Sequence, residues 1–270
     1  MAVAEQMEKK KRALFFDIDG TLVSFKTHEI PASTIFALTQ AKANGHKVFI
    51  ATGRPIQIIT NLAAIEHLVD GYITTNGAYC YVGSDVVSCH AIASKDVEIM
   101  LEDARRYDYS CVVASETQFA VFNPHPVFDD IFIHQLAVEG LDEKNMNIDV
   151  ALSEQILQFS PFFDVEHEKE LMQRLSGCVS GRWHPAFTDI TAKGTDKGTA
   201  LHEMANYLGL QMDSVIAFGD GGNDLTMIRE AGVGIAMGNA NEVLKQTADH
   251  ITTTVDDDGV MTALRHYGVI

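Results

Sequence analysis

The chain has 270 residues, 46% of them hydrophobic, with 20 basic against 37 acidic side chains and a formal charge of −17. That length suits one large domain, or a core with a modest second domain. The charge argues against a nucleic-acid binder and an anionic-membrane binder, and no apolar run approaches the roughly 18 residues of a membrane helix.

The opening stretch "MAVAEQMEKKKR" is polar and basic, lacks the apolar centre of a signal peptide, and reads as a short frayed leader. "RALFFD" then predicts a strand, "PASTIFALTQAKANG" a helix from Pro31 to the stop at Gly45, and "HKVFIAT" a second strand. "PIQIITNLAAIEHL" predicts another helix and "GYITTNG" a third strand. Continuous apolar strands separated by helices indicate βαβ units and a parallel sheet covered on both faces.

From about Asp85 to Pro185 the pattern changes. "YCYVGSDVVSCHA" alternates like a hairpin, on the core side of the boundary or just across it. The runs "SCVVASET", "QFAVFNP", "EQILQFSPFF" and "SGCVSGRW" are short, with helical segments "SKDVEIMLEDARRY" and "EHEKELMQRL" between them. The last third returns to the first pattern: "KGTALHEMANYLGL", "NDLTMIREAG" and "ANEVLKQTA" as helices, "DSVIAFGD" and "VGIAMGN" as strands, "DHITTTVDDDG" as a last strand and loop. The expected fold is α/β: a Rossmann-like parallel core with an inserted α+β cap. Residues 1–84 and 186–270 form the core and 85–185 the cap.

Four cysteines (Cys80, Cys89, Cys111, Cys178) show no CxxC pair. They read as reduced thiols of a cytoplasmic protein rather than as a zinc site.

Ligands of a parallel α/β sheet bind at the carboxyl ends of its strands. Four polar signals fall there: Asp17/Asp19, Thr52-Gly53-Arg54, the Lys193/Lys197 segment, and "GDGGND" from Gly219 to Asp224. Two aspartates at i and i+2 on extended backbone project to one side, where two buried, unpaired charges are costly. A hard cation such as Mg2+ relieves that repulsion, and Asp220 and Asp224 offer further carboxylates. Gly20 permits an unusual turn, and the Thr21 hydroxyl suits either a phosphate or a turn cap. Thr52 fits a phosphoryl oxygen or a helix N-cap, and Arg54 a bidentate anion contact or a structural salt bridge. A lone lysine at position 197 reads as a solvated side chain.

Together "FFDIDGTL", "ATGRP", "TTNGA", "KGTDKGTAL" and "FGDGGNDLTMI" resemble the haloacid dehalogenase superfamily. Within it they resemble Cof-type phosphatases with a large α/β cap (type IIB) after the third strand. The motifs cover both outer thirds in order; the middle third matches in size and placement alone. The resemblance implies that Asp17 is the nucleophile and becomes a transient aspartyl phosphate. It implies that Asp19 is the general acid and then the base, that Thr52 binds the phosphoryl group, and that Lys197 neutralises charge. It implies Mg2+ held by Asp17, Asp220 and the main-chain carbonyl of Asp19, with Asp224 in or beside the shell. Gly53, Arg54, Asn76, Lys193 and Asn223 are the candidate substrate-binding residues. Asp196, before the motif lysine, departs slightly from the small residue common there.

The expected activity is Mg2+-dependent hydrolysis of small cytosolic phosphate esters, sugar phosphates first. Pyridoxal phosphate, flavin-related phosphates and nucleotides stay open as substrates. A phosphosugar mutase and a non-catalytic sugar-phosphate sensor are the competing functions. The expected partner is a small phosphorylated metabolite, with no nucleic acid and no membrane, on a monomer or weak homodimer. In the cap, Arg182, Trp183 and His184 are the polar and aromatic candidates. Trp183 reads as a sugar platform or as filler of the cap's own core.

Overall fold

The computed structural model describes residues 11–135 and 146–270, so all but the last two residues of the expected leader lie outside the described residues. The first sheet is built from β1 (Ala13–Phe16), β2 (Lys47–Ala51), β3 (Gly71–Thr74), β4 (Tyr79–Val82) and β5 (Asp85–Cys89). The second takes β6 (Cys111–Ser115), β7 (Phe119–Phe122), β8 (Ile156–Pro161), β9 (Cys178–His184) and β10 (Phe187–Ala192). The chain then returns to the first sheet with β11 (Val215–Gly219), β12 (Val233–Ala236) and β13 (His250–Ile251). The first sheet runs β13-β12-β11-β1-β2-β3-β4-β5, and the second β7-β6-β8-β10-β9.

In the first sheet, β13 to β3 are parallel and only β4 and β5 are antiparallel. The second sheet is antiparallel throughout. The core is therefore the expected parallel α/β sheet, and the insert a separate α+β layer. β1 shows why: all four of its side chains are fully buried. Leu14 and Phe16 enter the apolar cluster on one face of the sheet, Ala13 and Phe15 that on the other. Phe16 stacks on Phe218 and Phe15 on Phe49, with ring centroids 4.6 and 4.7 Å apart. Each such buried ring contributes about 1.5–3 kcal/mol. The helices Ala32–Ala43 and Gly259–His266 cover the first face, and Lys197–Tyr207 and Leu225–Glu230 the second.

Several elements differ from the sequence reading. The boundaries expected at 85 and 185 are displaced on both sides. β5 pairs with β4 in the first sheet, and β10 pairs with β8 and β9 in the second. The hairpin strands stay with the core because β4 extends the edge of β3. The strand "FTDITA" and the closing helix Gly259–His266 carry no strong punctuation and were not expected. The helix expected over "PIQIITNLAAIEHL" is replaced by two short 3-10 turns, Ile56–Ile58 and Glu66–Leu68. Arg54 Nη1 donates to the Ile58 carbonyl at 3.2 Å, at the end of the first of these turns. No helix among the described residues is long and apolar enough to cross a membrane.

Candidate active site

Four carboxyl-end segments of the first sheet converge: those after β1, β2, β3 and β11. Asp17 and Asp224 follow β1 and β11 and are buried; Asp220, the residue after β11, is partly buried. One carboxylate oxygen from each of the three lies within 4.8 Å of the others. Lys197, fully buried, donates from Nζ to Asp17 Oδ1 and Asp224 Oδ1, both at 2.6 Å. The solvated lysine that position alone suggests is therefore corrected to a buried one between two carboxylates. Its place comes from Asp196, whose Oδ1 accepts from Gly198 and Thr199 N–H groups and caps the helix that Lys197 opens. The departure at position 196 is thus a helix cap.

The electrostatics follow from this crowding. Burial pushes the Asp17 carboxyl well above its ordinary range; Lys197 opposes the shift, while Asp224, Asp220 and Asp19 add to it. Asp220 is pushed up to about 7, by burial first and then by Asp224. Burial works against the charge on Lys197, but Asp17 and Asp224 outweigh it and its pKa is raised. One ammonium faces three carboxylates, which leaves negative charge uncompensated in a buried place. All the donors are hard oxygens, which is the ligand set that suits Mg2+. The residues fit such an ion.

Asp220 is held from two sides. Thr21 Oγ1 donates to its Oδ1 at 3.0 Å, and Asn239 Nδ2 approaches its Oδ2 at 3.4 Å while donating to the Gly20 carbonyl at 2.8 Å. Gly20 has φ +85°, and a Cβ there would collide with Asp220 Oδ2. Only glycine satisfies both the backbone and the approach. Asp224 accepts from Lys197 and, through Oδ2, from the Asp220 and Gly221 N–H groups at 3.0 and 2.9 Å. It is a brace of the cluster as well as a member of it.

The Asp19 carboxylate is not part of the three-carboxylate cluster. It forms a bidentate pair with Arg54, Nε to Oδ2 at 2.7 Å and Nη2 to Oδ1 at 2.8 Å. Thr52 is buried, and its hydroxyl accepts from the Arg54 N–H at 3.1 Å, which closes the turn that aims the guanidinium. Asn223 Nδ2 donates to Asn76 Oδ1 at 3.0 Å, joining the ends of β11 and β3. Asn76 has φ 53°, and a Cβ on Gly53 would meet its Oδ1 at 2.9 Å, so these three residues form one tight corner. Lys193 stands apart: it is exposed in the turn that follows β10, and among the described residues only its N–H is bonded, to the Gly177 carbonyl. Of the expected site residues it is the one that, among the described residues, makes no contact with the others.

Asn239 was not expected, and of the two readings open for Arg54, an anion contact or a structural salt bridge, the structure shows the salt bridge, with Asp19 as a partner that was not named. Asn239 had a signal, a polar residue ending the apolar run of β12; the choice of Asp19 had none, because the partner of an arginine is not written in local sequence.

A family model described as haloacid dehalogenase-like hydrolase matches residues 14–264. The chain belongs to this family. The structure resembles the HAD subclass IIB sugar phosphatase BT4131 at 43% identity and TM-score 0.86, over 96% of this chain and 100% of that one. It also resembles BT1666 from Bacteroides thetaiotaomicron at 34% identity and TM-score 0.84, over 100% and 99%. The 5-amino-6-(5-phospho-D-ribitylamino)uracil phosphatase YcsE of Bacillus subtilis is 30% identical, over 95% of each chain. The chain is a HAD phosphatase with a subclass IIB cap.

Proposed function

We propose that this phosphatase is a Mg2+-dependent phosphomonoesterase of small sugar or polyol phosphates that works through an aspartyl phosphate. The observation that carries the reading is the Lys197 bridge between Asp17 and Asp224, beside Asp220. The relatives support the substrate class, since one is named a sugar phosphatase and another acts on a phosphoribityl compound.

Asp17 Oδ2, the oxygen not bonded to Lys197, attacks phosphorus, and the bond to the ester oxygen breaks. Asp19 gives its proton to the leaving oxygen, which requires its pairing with Arg54 to open. Water then attacks the phosphorus of the aspartyl phosphate while Asp19 takes a proton from it, and Asp17 is restored. Lys197 stays protonated and holds Asp17 in place throughout. Thr52 and the Gly53–Asn76–Asn223 corner line the phosphoryl side. Mg2+ would be held by Asp17, Asp220 and the Asp19 carbonyl, with Asp224 behind them. It supplies charge neutralisation for the phosphoryl oxygens.

The test is phosphate release over a panel of phosphorylated metabolites with Mg2+. Hydrolysis of sugar or polyol phosphates is expected; isomer interconversion without phosphate release, or no turnover of any ester, would overturn the reading.

A further inference from the structure

Asn239 stands in the segment 237–241 that follows β12. Main-chain bonds tie this segment to two neighbours. On one side, the Met237 N–H donates to the Gly219 carbonyl at 3.0 Å and the Asn241 N–H to the Asp220 carbonyl at 3.3 Å. On the other, the Gly238 N–H donates to the Thr253 carbonyl at 3.0 Å. The segment therefore lies between the carboxylate cluster and the stretch that leads to the last helix, Gly259–His266.

The Asn239 side chain repeats that bridge with both ends of its amide. Oδ1 accepts from the Val255 N–H at 3.0 Å; Nδ2 donates to the Gly20 carbonyl at 2.8 Å and faces Asp220 Oδ2 at 3.4 Å. The partners fix its orientation, because one is a donor and the other two are oxygens. Asn239 is itself exposed, so these bonds serve no core packing. The shorter of its two donations goes to Gly20, and a Cβ on Gly20 would strike the same Asp220 oxygen. Asn239 thus acts on Asp220 directly and through the backbone packed against it.

The far end of the bridge is anchored. Asp256, next to Val255, accepts from the buried Ser24 hydroxyl at 2.6 Å and pairs with Lys26 at 2.7 Å. The Gly20 N–H donates to the Val23 carbonyl at 2.8 Å, so the chain from Ser24 leads straight back to Gly20. The bonds form a closed circuit, with Asp220 against it. With Thr21 on Oδ1 and Asn239 beside Oδ2, each carboxylate oxygen of Asp220 has one donor and keeps lone-pair capacity for a cation.

We propose that Asn239 is a positioning residue of the metal centre, which sets the affinity for Mg2+ by holding Gly20 and Asp220 in register with Asp17 and Asp224. The proposal rests on the Mg2+ site of the reading above and adds a residue that acts only through others. Without Asn239 the three carboxylates remain, but Asp220 has to be ordered at the moment of binding. Ordering a ligand on binding weakens affinity and leaves the bound arrangement the same. Removing a group that orients a metal ligand typically costs about 10–100-fold in affinity.

The test is isothermal titration calorimetry of full-length wild type, Asn239→Ala and Asn44→Ala with MgCl2. Asn239→Ala should raise the Mg2+ Kd about tenfold, and in turnover the rate it loses should return in excess Mg2+. Asn44 makes a comparable bond before β2, at the amino end of the sheet, to the Val269 carbonyl at 2.7 Å. Its removal should leave the Mg2+ Kd unchanged. An unchanged Kd in Asn239→Ala overturns the proposal, as does an equal rise in Asn44→Ala. A rate loss that excess Mg2+ does not restore also overturns it, since the residue would then act on the reaction itself. If Asn239→Ala fails to fold, Asn239→Ser faces the same criteria: it keeps a polar group near Val255 but is too short to span Gly20 as well. No Mg2+ binding by wild type overturns the proposal. A wild type that binds Mg2+ but releases phosphate from no ester defeats the phosphatase reading, and the titration still decides the role of Asn239.

Discussion

Lys197 Nζ lies 2.6 Å from Asp17 Oδ1, across 180 positions of sequence, and both side chains are buried. The pairing opposes the burial that works against a charged carboxylate at the end of a strand whose other residues are apolar. It leaves the local charge negative, because Asp224 and Asp220 stand at the same place. The site is thus built against its own stability.

Asp17→Asn should abolish turnover and should also raise the melting temperature of the metal-free protein near pH 8. The nucleophile is lost, yet so is a carboxylate whose ionised form burial and three neighbouring aspartates disfavour. Lys197 keeps Asp224 as its partner. Thermal unfolding in chelator, beside a phosphate-release assay, checks both halves. Residual activity above a few per cent or a lower melting temperature would count against the assignment.

Mg2+ should stabilise the wild type against unfolding by an amount that grows with its concentration, since an ion that binds only the folded state shifts the equilibrium by mass action. At a hundredfold excess over Kd the shift is about 2.7 kcal/mol. Asp220→Asn should remove most of this shift. Chelation should abolish activity, and Ca2+, with its larger and looser shell, should fail to restore it. Melting curves across a Mg2+ series in both proteins provide the measurement.

Gly20→Ala should cost about 1–3 kcal/mol from the left-handed backbone alone. The new methyl group also collides with Asp220 Oδ2, so activity should fall further than stability does. Denaturant unfolding and kcat/KM, measured on the same preparation, separate the two effects. Full activity in this variant would contradict the tight approach of Gly20 to Asp220.

The core was legible in the sequence because its signals are local. β1 announces itself as an apolar run, and each motif residue follows a strand at fixed spacing. What the sequence hid depends on partners far away. Ile58, Leu62 and Ile65 have helical spacing, yet the chain forms only two short 3-10 turns there. Lys197 looks like any surface lysine until two carboxylates from distant segments surround it. In the cap, Trp183 suggests a core residue by type alone, and only the register of β9 against β10 shows that it stands outside. The strand β10 itself was missed because Asp189 and Thr188 interrupt its apolar pattern. Those polar groups are explained only by Ser160, Trp183 and Glu168 on neighbouring elements.

Asp189 supplies the last prediction, a pH dependence that belongs to the cap alone. Burial pushes its carboxyl up to about 6, against the opposing hydrogen bonds from Ser160 and Trp183. The folded form thus keeps a proton that the unfolded chain, with an ordinary carboxyl near 3.8, has already released. Between those two values the unfolded state binds fewer protons, so stability falls as pH rises through the window and levels off above about 6. The full penalty is about 3 kcal/mol. Asp189→Asn removes the titrating group while its carbonyl oxygen can still accept from Trp183 and its amide can donate to the Ser160 oxygen. The variant should therefore match wild type near pH 4 and be the more stable of the two at pH 7 and above. Carboxylates elsewhere are common to both proteins and cancel in the difference. Unfolding free energies of the pair from pH 4 to pH 8 decide the point. A difference that does not change with pH, or one that favours wild type at high pH, would show that Asp189 is ionised in the folded protein at little cost.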